Sequence, residues 1–484
     1  MQVPAVFQQA QLGRAGGENR KWWTLGAVAF GLFMIMLDNT VVNVALPTIQ
    51  SDLGLSLEQL EWVVTGYALT FAAFMLTGGK LADLLGRRRI FVAGLVVFTV
   101  ASLLCGLASS PEMLIAWRIL QGIGAAMMNP ATLSIIAAAF PPRERGRAIG
   151  LWAGVSALAL ALGPLIGGLL TEHVGWGWIF FINVPVGVLA VVASYLFIDE
   201  TRDESEEQRV DVPGLVTSGV GLFALTYALI QANTYGWTSA RILGAFAVAA
   251  VGLVSFVVIE MRSRVPMLDL GLFRNRTFSG ANLAMLLIAL AMFGVFFFVS
   301  LYMQQILGYS PVQAGLTFLP MTVLIILVAP QAGRLSDTVG ARWIVGTGLT
   351  LVAVSLALFS RLGLGATFTD LLPGLIFGGV GMAMSMAPTT AAAMASVPVD
   401  KSGVGSAVLN SMRQVGGSIG IAVMGAIVAH ELTDSLASGD SRPVAFVQGF
   451  QSGLRVAAAI AVAGALTAVM LIRRPHHPPE PQPG

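Results

Sequence analysis

The stretch GKLADLLGRR, residues 79–88, decides the fold because it recurs as GRLSDTVGAR in residues 333–342. The two stretches match in register at both glycines, the leucine, the aspartate and the final arginine. Each follows the second apolar run in a set of six. Self-similarity at such a distance indicates a duplicated structural unit. The sequence therefore predicts two copies of one six-helix unit, with a binding site at their interface near the middle of a membrane.

The composition indicates that these units span a membrane. Hydrophobic residues make up 56% of the chain and charged residues 11%, and the mean hydropathy is +0.80. A soluble chain carries about 25% charged residues. The net charge of +2 is too small to indicate nucleic-acid binding, and the single cysteine, Cys105, excludes an intrachain disulfide and a multi-cysteine metal site. Since there is no GxxxxGK phosphate loop, ATP is not the expected energy source, and neither a metal nor a cofactor is expected.

Fourteen apolar runs reach the length of about 17 residues that a helix needs to cross a bilayer. We therefore predict an all-α membrane protein in which runs one to six and nine to fourteen form two six-helix bundles. Runs seven and eight are inserted between the bundles. The predicted segments are an N-terminal tail (1–22), the first bundle (23–198), an acidic linker (199–214), the inserted helices (215–259), a second linker (260–280), the second bundle (281–472) and a disordered proline-rich tail (473–484).

The positions of lysine and arginine predict the orientation, because positively charged short loops stay in the cytoplasm. Alternate connections are basic, whereas the connections between them offer little beyond Arg241, Arg361 and Arg442. Both termini are therefore expected on the cytoplasmic side of a bacterial-type inner membrane. Residues 266–273 of the second linker are apolar enough to lie along the membrane surface.

One carboxylate, Asp38, lies deep in the first apolar run, within LDNTVVNVALP of residues 37–47. An ionised side chain there costs about 3 kcal/mol and marks a functional site by default. Counting ~1.5 Å per helical residue from Trp23 places Asp38 ~8 Å below the far face of a ~30 Å core. The same count from Glu112 places Arg118, in the fourth run, ~9 Å below that face. Because the depths agree, we expect Asp38 and Arg118 to be neighbours that form a proton-coupling pair.

The duplicated loop is interpreted as a conformational latch that holds helices together in one state. Glycines permit a tight turn, the aspartate caps or pairs across the loop, and the arginines anchor at the lipid headgroups. An ordinary positively charged loop would not recur in both halves. The latch residues are Gly79, Asp83, Gly86, Arg87 and Arg88 in the first copy and Gly333, Asp337, Gly340 and Arg342 in the second.

The fifth helix carries two pairs of glycines four residues apart, Gly150 with Gly154 and Gly163 with Gly167. Such spacing gives small faces for close helix contact, although it is common in membrane helices. Pro164 bends or loosens the same helix, which ends in the GPLIGG stretch of residues 163–168.

Polar, methionine and aromatic side chains on several helices are candidates for a substrate cavity. Stripes of methionine and phenylalanine are more often lipid-facing or core packing, by roughly two to one. The arginine of the thirteenth helix either snorkels to the cytoplasmic face or lines the cavity, and both readings stay open. The candidates are Thr40, Asn43, Asn282, Gln304, Asn410, Arg413, Phe293 and Met384.

Together these motifs resemble the major facilitator superfamily, and within it the fourteen-span drug:proton antiporters of the EmrB/QacA type. The stretch 37–47, the loop 79–89, the arginine motif around Arg118 and the Gly-Pro motif that ends at Gly168 match that family in order. The stretch WGWIFFINVPVG, residues 176–187, is also similar. The resemblance implies the major facilitator fold, coupling positions at Asp38 and Arg118, and an antiport helix that includes Gly154, Gly163, Pro164, Gly167 and Gly168.

The chain departs from the family pattern in two places. The second loop copy lacks a double basic pair at residues 341–342. The tenth helix, residues 312–330, has no acid, whereas relatives that take divalent cations carry a carboxylate there. A preference for divalent cations is therefore disfavoured.

The resulting hypothesis is a proton-coupled exporter of small amphipathic, in part cationic, drugs or secondary metabolites. Asp38 would alternate between protonated and ionised forms as the cavity opens to each side, with the proton as the coupling ion. We expect a monomer in the lipid bilayer, and the sequence leaves open whether a periplasmic adaptor takes part. A lipid or lipid-linked metabolite flippase is one alternative, and a non-transporting sensor or assembly protein is another. An enzyme is not expected, because no catalytic nucleophile, metal cluster or nucleotide loop appears.

Overall fold

The computed structural model describes residues 19–202, 211–263, 266, 268–397 and 402–473, and its regular elements there are helices without any strand. Fourteen of these helices are long and apolar enough to cross a membrane. The predicted all-α membrane fold with fourteen spans is therefore confirmed. Most of the expected N-terminal and C-terminal tails and half of the acidic linker lie outside the described residues.

The first six membrane helices form the N-half. They are α1 (Arg20–Leu53), α2 (Leu57–Leu85), α3 (Arg87–Gly106), α4 (Pro111–Ala139), α5 (Pro142–His173) and α6, which consists of Trp178–Phe181 and Asn183–Phe197. The inserted pair is α7 (Val212–Tyr235) and α8 (Ala240–Arg262).

The last six membrane helices form the C-half. They are α9 (Arg276–Leu301), α10, which consists of Pro311–Thr317 and Leu319–Val339, α11 (Ala341–Phe359), α12 (Phe368–Ala395), α13 (Ser402–Ala437) and α14 (Arg442–Leu471). A π-helical turn, Tyr302–Ile306, extends α9. Because the span count is even, α1 begins and α14 ends on the same side, which we call the terminal face; the other side is the opposite face.

Matching local signals at α2 and α10 show that the halves repeat. Each helix starts with a capping box, Ser56 with Gln59 in α2 and Ser310 with Gln313 in α10. In both, the serine hydroxyl accepts from the third backbone N–H and the glutamine carbonyl accepts from the serine N–H, which satisfies two otherwise orphaned donors. Each helix ends at a glycine with positive φ, +113° at Gly86 and +102° at Gly340.

Helix packing follows the same duplication. Helix α1 packs against α5 and α9 against α13, while α2 packs against α4 and α10 against α12. The inserted helices pack against each other, and α7 also packs along α2 and α13. Helix α7 therefore lies along a seam where α2 of the N-half meets α13 of the C-half.

The second linker differs from the sequence-based expectation of a segment on the membrane surface. Residues Leu270–Arg274 form a 3₁₀ helix, and Leu268 and Leu272 are buried among apolar side chains of α9, α12 and α13. Burying these leucines within the protein removes apolar area from water without any contribution from lipid.

Candidate functional site

The structure brings Asp38 and Arg118 together in the interior of the N-half. The Arg118 Nη1 donates to Asp38 Oδ2 at 2.6 Å, and the side chains are 1% and 0% exposed. Arg118 Nε also donates to the Val63 carbonyl of α2 at 3.0 Å. Three helices thus fix the guanidinium. A buried pair in this arrangement keeps both charges only because each is satisfied by hydrogen bonds.

Gln121 completes the pair, and sequence reasoning missed it. Its Nε2 donates to Asp38 Oδ1 at 3.0 Å, while its Oε1 accepts from Arg118 Nη1 at 2.7 Å. Gln121 lies three residues after Arg118, which places the two side chains on the same helix face. The spacing is the one signal in the sequence that points to it. The centroid of the Tyr67 ring lies 4.3 Å from the guanidinium carbon of Arg118, a contact that sequence reasoning also missed.

A cleft between the two halves adjoins this network. Its empty space, open solvent included, measures ≈ 390 Å³. Asp38, Asn43 and Tyr67 line it from the N-half, and Phe293 and Gly417 line it from the C-half. Hence Asp38 reaches a space that is shared by both halves, as a group that alternates between two sides requires.

The halves are joined beyond the cleft on the opposite face. Gln304 Nε2 donates to the Val44 carbonyl at 2.8 Å, and Gln305 Nε2 donates to Gln50 Oε1 at 2.7 Å. The backbone N–H of Val312 donates to Glu172 Oε2 at 2.9 Å. These contacts close the cleft toward the opposite face.

Glycines let α5 pack closely against α1 of its own half and against α10 of the other half. A Cβ on Gly163 would collide with Thr40 Oγ1, and one on Gly167 would lie 2.6 Å from the Val41 carbonyl oxygen, so α5 lies against α1 beside Asp38. A Cβ on Gly168 would lie 2.5 Å from the Pro311 carbonyl oxygen of α10, and the Pro164 carbonyl meets Gly315 of the same helix.

The part of α5 nearer the terminal face lacks such neighbours. A Cβ on Gly150 or on Gly154 would meet nothing within 4 Å. The structure thus separates Gly154 from the other predicted members of the antiport helix. The contrast along α5 shows that its close contacts with α1 and α10 are confined to the part nearer the opposite face.

The first latch copy ties α2 and α3 to the end of α6. Arg87 donates to Asp83 Oδ1 from Nε at 3.1 Å and from Nη2 at 3.0 Å. The backbone N–H groups of Arg88 and Arg89 donate to the Glu200 carboxylate at 3.1 and 3.2 Å, which caps the start of α3. Glu200 falls in the segment predicted as an acidic linker (199–214), but it packs against the N-half because the free N–H groups and positive dipole of the α3 N-terminus attract its charge.

The two outer glycines of the first latch copy lie where neighbouring groups leave little room for a side chain. A Cβ on Gly86 would lie 2.5 Å from Glu200 Oε1, and one on Gly79 would lie 3.2 Å from Pro130 of α4. All the contacts of this latch that are described above join elements of the N-half. Its predicted role in holding one conformation remains a prediction.

The second latch copy differs from the first. A Cβ on Gly333 would meet nothing within 4 Å, and the Arg342 guanidinium carbon lies 4.8 Å from the centroid of the adjacent Trp343 ring. The side chain of Asp337 lies outside the described part of the structure. The duplication therefore preserves the turn at Gly340 more closely than the charged contacts.

The remaining cavity candidates fall into three groups. Asn43 and Phe293 line the cleft. Gln304 instead joins the halves on the opposite face, because its amide finds the carbonyl of Val44. The others do not line the cleft. The side chains of Thr40 and Asn282 donate to backbone carbonyls of their own helices, and Asn410 donates to the Ser406 carbonyl at 3.0 Å. Met384 packs beside Gly348 of α11.

Arg413 lies near the cleft, although it is not one of the residues that line it, and it has no anionic partner among the described residues. Its Nε is buried with no hydrogen-bond partner, and the described residues form no ion pair with it. It lies one helical turn before Gly417, a cleft residue of α13. The structure thus favours the cavity side of the two readings that the sequence left open, since a guanidinium at the lipid interface would be solvated.

Comparisons with known proteins agree with this architecture. The chain matches the family model described as Major Facilitator Superfamily over residues 28–421 and 281–484. It is 38% identical over 424 residues to the tetracenomycin C resistance and export protein of Streptomyces glaucescens, covering 87% of this chain and 78% of that protein. It is 37% identical over 461 residues to a puromycin resistance protein of Streptomyces alboniger, covering 94% and 91%.

A solved structure supports the fold. The chain matches a bacterial homolog of the human lysosomal transporter Spinster, in an inward-facing and unoccupied conformation, with a TM-score of 0.67. The two share 17% sequence identity, and the match covers 94% of this chain and 98% of that chain. The predicted fold, two six-helix bundles with two inserted helices, is confirmed.

Proposed function

Since the chain belongs to the major facilitator superfamily and is a multi-pass membrane transporter, not an enzyme, we propose that it exports amphipathic drugs or secondary metabolites in exchange for protons. Its relatives are named for resistance to, or export of, tetracenomycin C and puromycin. Export by alternating access would expose one cleft first to the cytoplasm and then to the outside.

The observation that carries the proposal is the Asp38–Arg118–Gln121 network beside the cleft. Arg118 does not lose its proton under any physiological condition. Asp38 is therefore the one member of the network that can bind and release a proton. When Asp38 is protonated, its attraction to Arg118 weakens, and the contacts of α1 with α4 change.

The glycine contacts of α5 give this change a route to the other half. Gly163 and Gly167 hold α5 against α1 near Asp38, and Gly168 holds it against α10. A shift of α1 on protonation would thus move α5 relative to the C-half. Small shifts at packed interfaces are amplified because such interfaces have discrete arrangements.

The proton gradient supplies the free energy in this scheme. Its electrical part contributes about 2.3 kcal/mol per charge for each 100 mV of membrane potential. We assign the terminal face to the cytoplasm of a bacterial-type inner membrane, because the basic connections lie on that face. The cleft, closed toward the opposite face, would then correspond to the inward-facing state.

The charge balance of the cleft favours anionic or acceptor-rich substrates. The charges of Asp38 and Arg118 cancel within their ion pair, whereas Arg413, one helical turn from the cleft residue Gly417, adds one positive charge that pairs with no acid among the described residues. A substrate carboxylate or phenolate could accept hydrogen bonds from the guanidinium and remove the cost of leaving it unpaired. A cationic substrate, expected from the sequence, stays a prediction that the unpaired Arg413 charge opposes.

The direct test is gradient-driven flux in proteoliposomes. Purified protein is reconstituted, a pH gradient is imposed, and the uptake of labelled puromycin and of tetracenomycin C is followed. We expect Asp38→Asn to abolish the acceleration by the gradient while Asp52→Asn, an exposed acid at the end of the same helix, retains it. Gradient-driven flux at the wild-type rate in Asp38→Asn would refute the proposal, and so would the absence of gradient-dependent flux in the wild-type protein.

A further inference from the structure

A second buried carboxylate, Glu61 of α2, takes no part in the network around Asp38. Glu61 is 2% exposed, and its Oε2 is buried with no hydrogen-bond partner among the residues that the structure describes. An ionised carboxylate in such a place is very costly, because nothing replaces the lost hydration. In this conformation Glu61 is therefore a neutral carboxylic acid.

Glu61 lies on the seam between the halves. A Cβ on Gly425 of α13 would collide with Glu61 Oε1, so the carboxyl group rests on the backbone of the C-half at a position where only glycine fits. Val64, three residues after Glu61, and Ile421, four residues before Gly425, both line the cleft. The Glu61–Gly425 contact therefore lies about one helical turn beyond the cleft, on the side of the opposite face.

The inserted helix α7 packs beside this contact and forms hydrogen bonds with both helices that make it, α2 and α13. Asn233 Nδ2 donates to the Ala426 carbonyl of α13 at 2.5 Å. Thr234 Oγ1 donates to Glu58 Oε1 of α2 at 3.1 Å. In addition, Trp62 stacks on Phe223 of α7 with ring centroids 6.3 Å apart.

No cationic side chain of the described residues pairs with Glu61, although several charged groups lie near the seam. On α2 the nearby charge is Glu58, and on α4 it is Glu112, which accepts from Gln59 at 3.4 Å. Helix α7 carries no charged residue. On α13, His430 pairs with Asp434 at 3.5 Å and Glu431 accepts from Ser452 of α14, so neither is directed to Glu61. Among the described residues, no ion pair includes Glu61.

We propose that Glu61 is a second proton-binding site, protonated while the seam of α2 with α13 is closed and ionised once that seam opens to the opposite face. This inference rests on the proposed alternating access. When the halves part, water reaches the carboxyl group and accepts its proton. The ionised side chain then opposes closure until it binds a proton from the solution on the same side.

The site therefore differs in role from Asp38. In the closed state Glu61 is sealed from both faces, so its proton returns to the side from which it came and is not carried across the membrane. Protonation of Glu61 makes closure of the seam depend on the pH of the opposite face. By linkage, a transition that binds one proton shifts its equilibrium about tenfold per pH unit at pH values well above the ordinary pKa of a carboxyl group.

The test measures the opening of the seam as a function of pH in a protein that lacks Asp38 titration. Cys105 is replaced by alanine, and spin-labelled cysteines are placed at the exposed Ser51 and Ser438, one in each half on the opposite face. Distance distributions are recorded in nanodiscs between about pH 5 and 8, a range in which an exposed carboxyl group is mostly ionised.

In the Asp38→Asn background we expect the open population to rise with pH, by up to tenfold per unit. Adding Glu61→Gln, which keeps the shape and the neutral charge, should remove this slope and leave the closed distance dominant. Adding Glu112→Gln, an acid at the start of α4, should leave the slope unchanged. Gly425→Ala should raise the open population at every pH, because the added Cβ would displace the Glu61 carboxyl group from its position against the α13 backbone.

Two results would overturn the assignment. One is a pH slope that persists in Asp38→Asn with Glu61→Gln, and the other is a flat response in Asp38→Asn alone. Failure of the exporter proposal is detected separately, because that proposal depends on flux under a gradient, whereas the present experiment measures distance without substrate or gradient.

Discussion

Replacing Gln121 by leucine removes two hydrogen bonds from the coupling network without adding a charge. Gln121 is fully buried, and its Nε2 donates to Asp38 Oδ1 at 3.0 Å. A hydrogen bond to a charged group contributes about 1.5–3 kcal/mol. Since the donor stabilises the ionised form of Asp38 more than the protonated form, its loss makes proton release harder by up to that amount. At about 1.4 kcal/mol per pH unit, the half-maximal point for transport should move by up to about two units toward higher pH.

The assay is the initial rate of labelled puromycin uptake into proteoliposomes across a pH series on the terminal face. Gln331→Leu is the matched control, because Gln331 is exposed on α10 and bonds only its own helix backbone. We expect the control to follow the wild-type profile. If the Gln121→Leu and wild-type profiles coincide, the argument that this amide holds the carboxylate ionised is wrong.

Three further predictions concern other parts of the molecule. Gly163→Ala should reduce flux at least tenfold, because its Cβ collides with Thr40 of α1, whereas Gly154→Ala, with nothing within 4 Å, should transport like the wild type in the same assay. Glu200→Gln should lower the free energy of unfolding by about 1 kcal/mol through the weaker cap of α3, read as a lower melting temperature in detergent. Arg413→Gln should weaken the binding of a singly anionic dye about tenfold and leave a cationic dye of similar size unchanged, measured by fluorescence titration; equal effects on both dyes would contradict a charge-specific role.

The duplicated architecture and the coupling pair were accessible from the sequence for a physical reason. Helix rise converts residue number into membrane depth, so Asp38 and Arg118 could be matched before any coordinates existed. Turn glycines and capping residues act locally, and Gly86 and Gly340 accordingly adopt the same backbone conformation in both halves. Local rules and depth therefore recover the fold and the centre of the site.

The contacts that the sequence did not reveal depend on the rotation of helices about their axes. Depth alone does not say which side of α2 faces α13, so it gives no reason to single out Glu61. The contact of the Glu61 carboxyl group with Gly425 depends on packing between residues far apart in the chain. The same holds for Glu200, whose position at the start of α3 follows from how α6 ends beside it.

The central claim is that the carboxyl group of Asp38 binds and releases a proton beside the cleft. Infrared difference spectroscopy of the reconstituted protein during a pH titration observes that group directly, through the C=O stretch that only the protonated acid shows. We predict a band that appears on acidification in Glu61→Gln and is lost when Asp38→Asn is added to that variant. A titrating band that is unchanged between Glu61→Gln and the double variant would show that the coupling proton resides elsewhere.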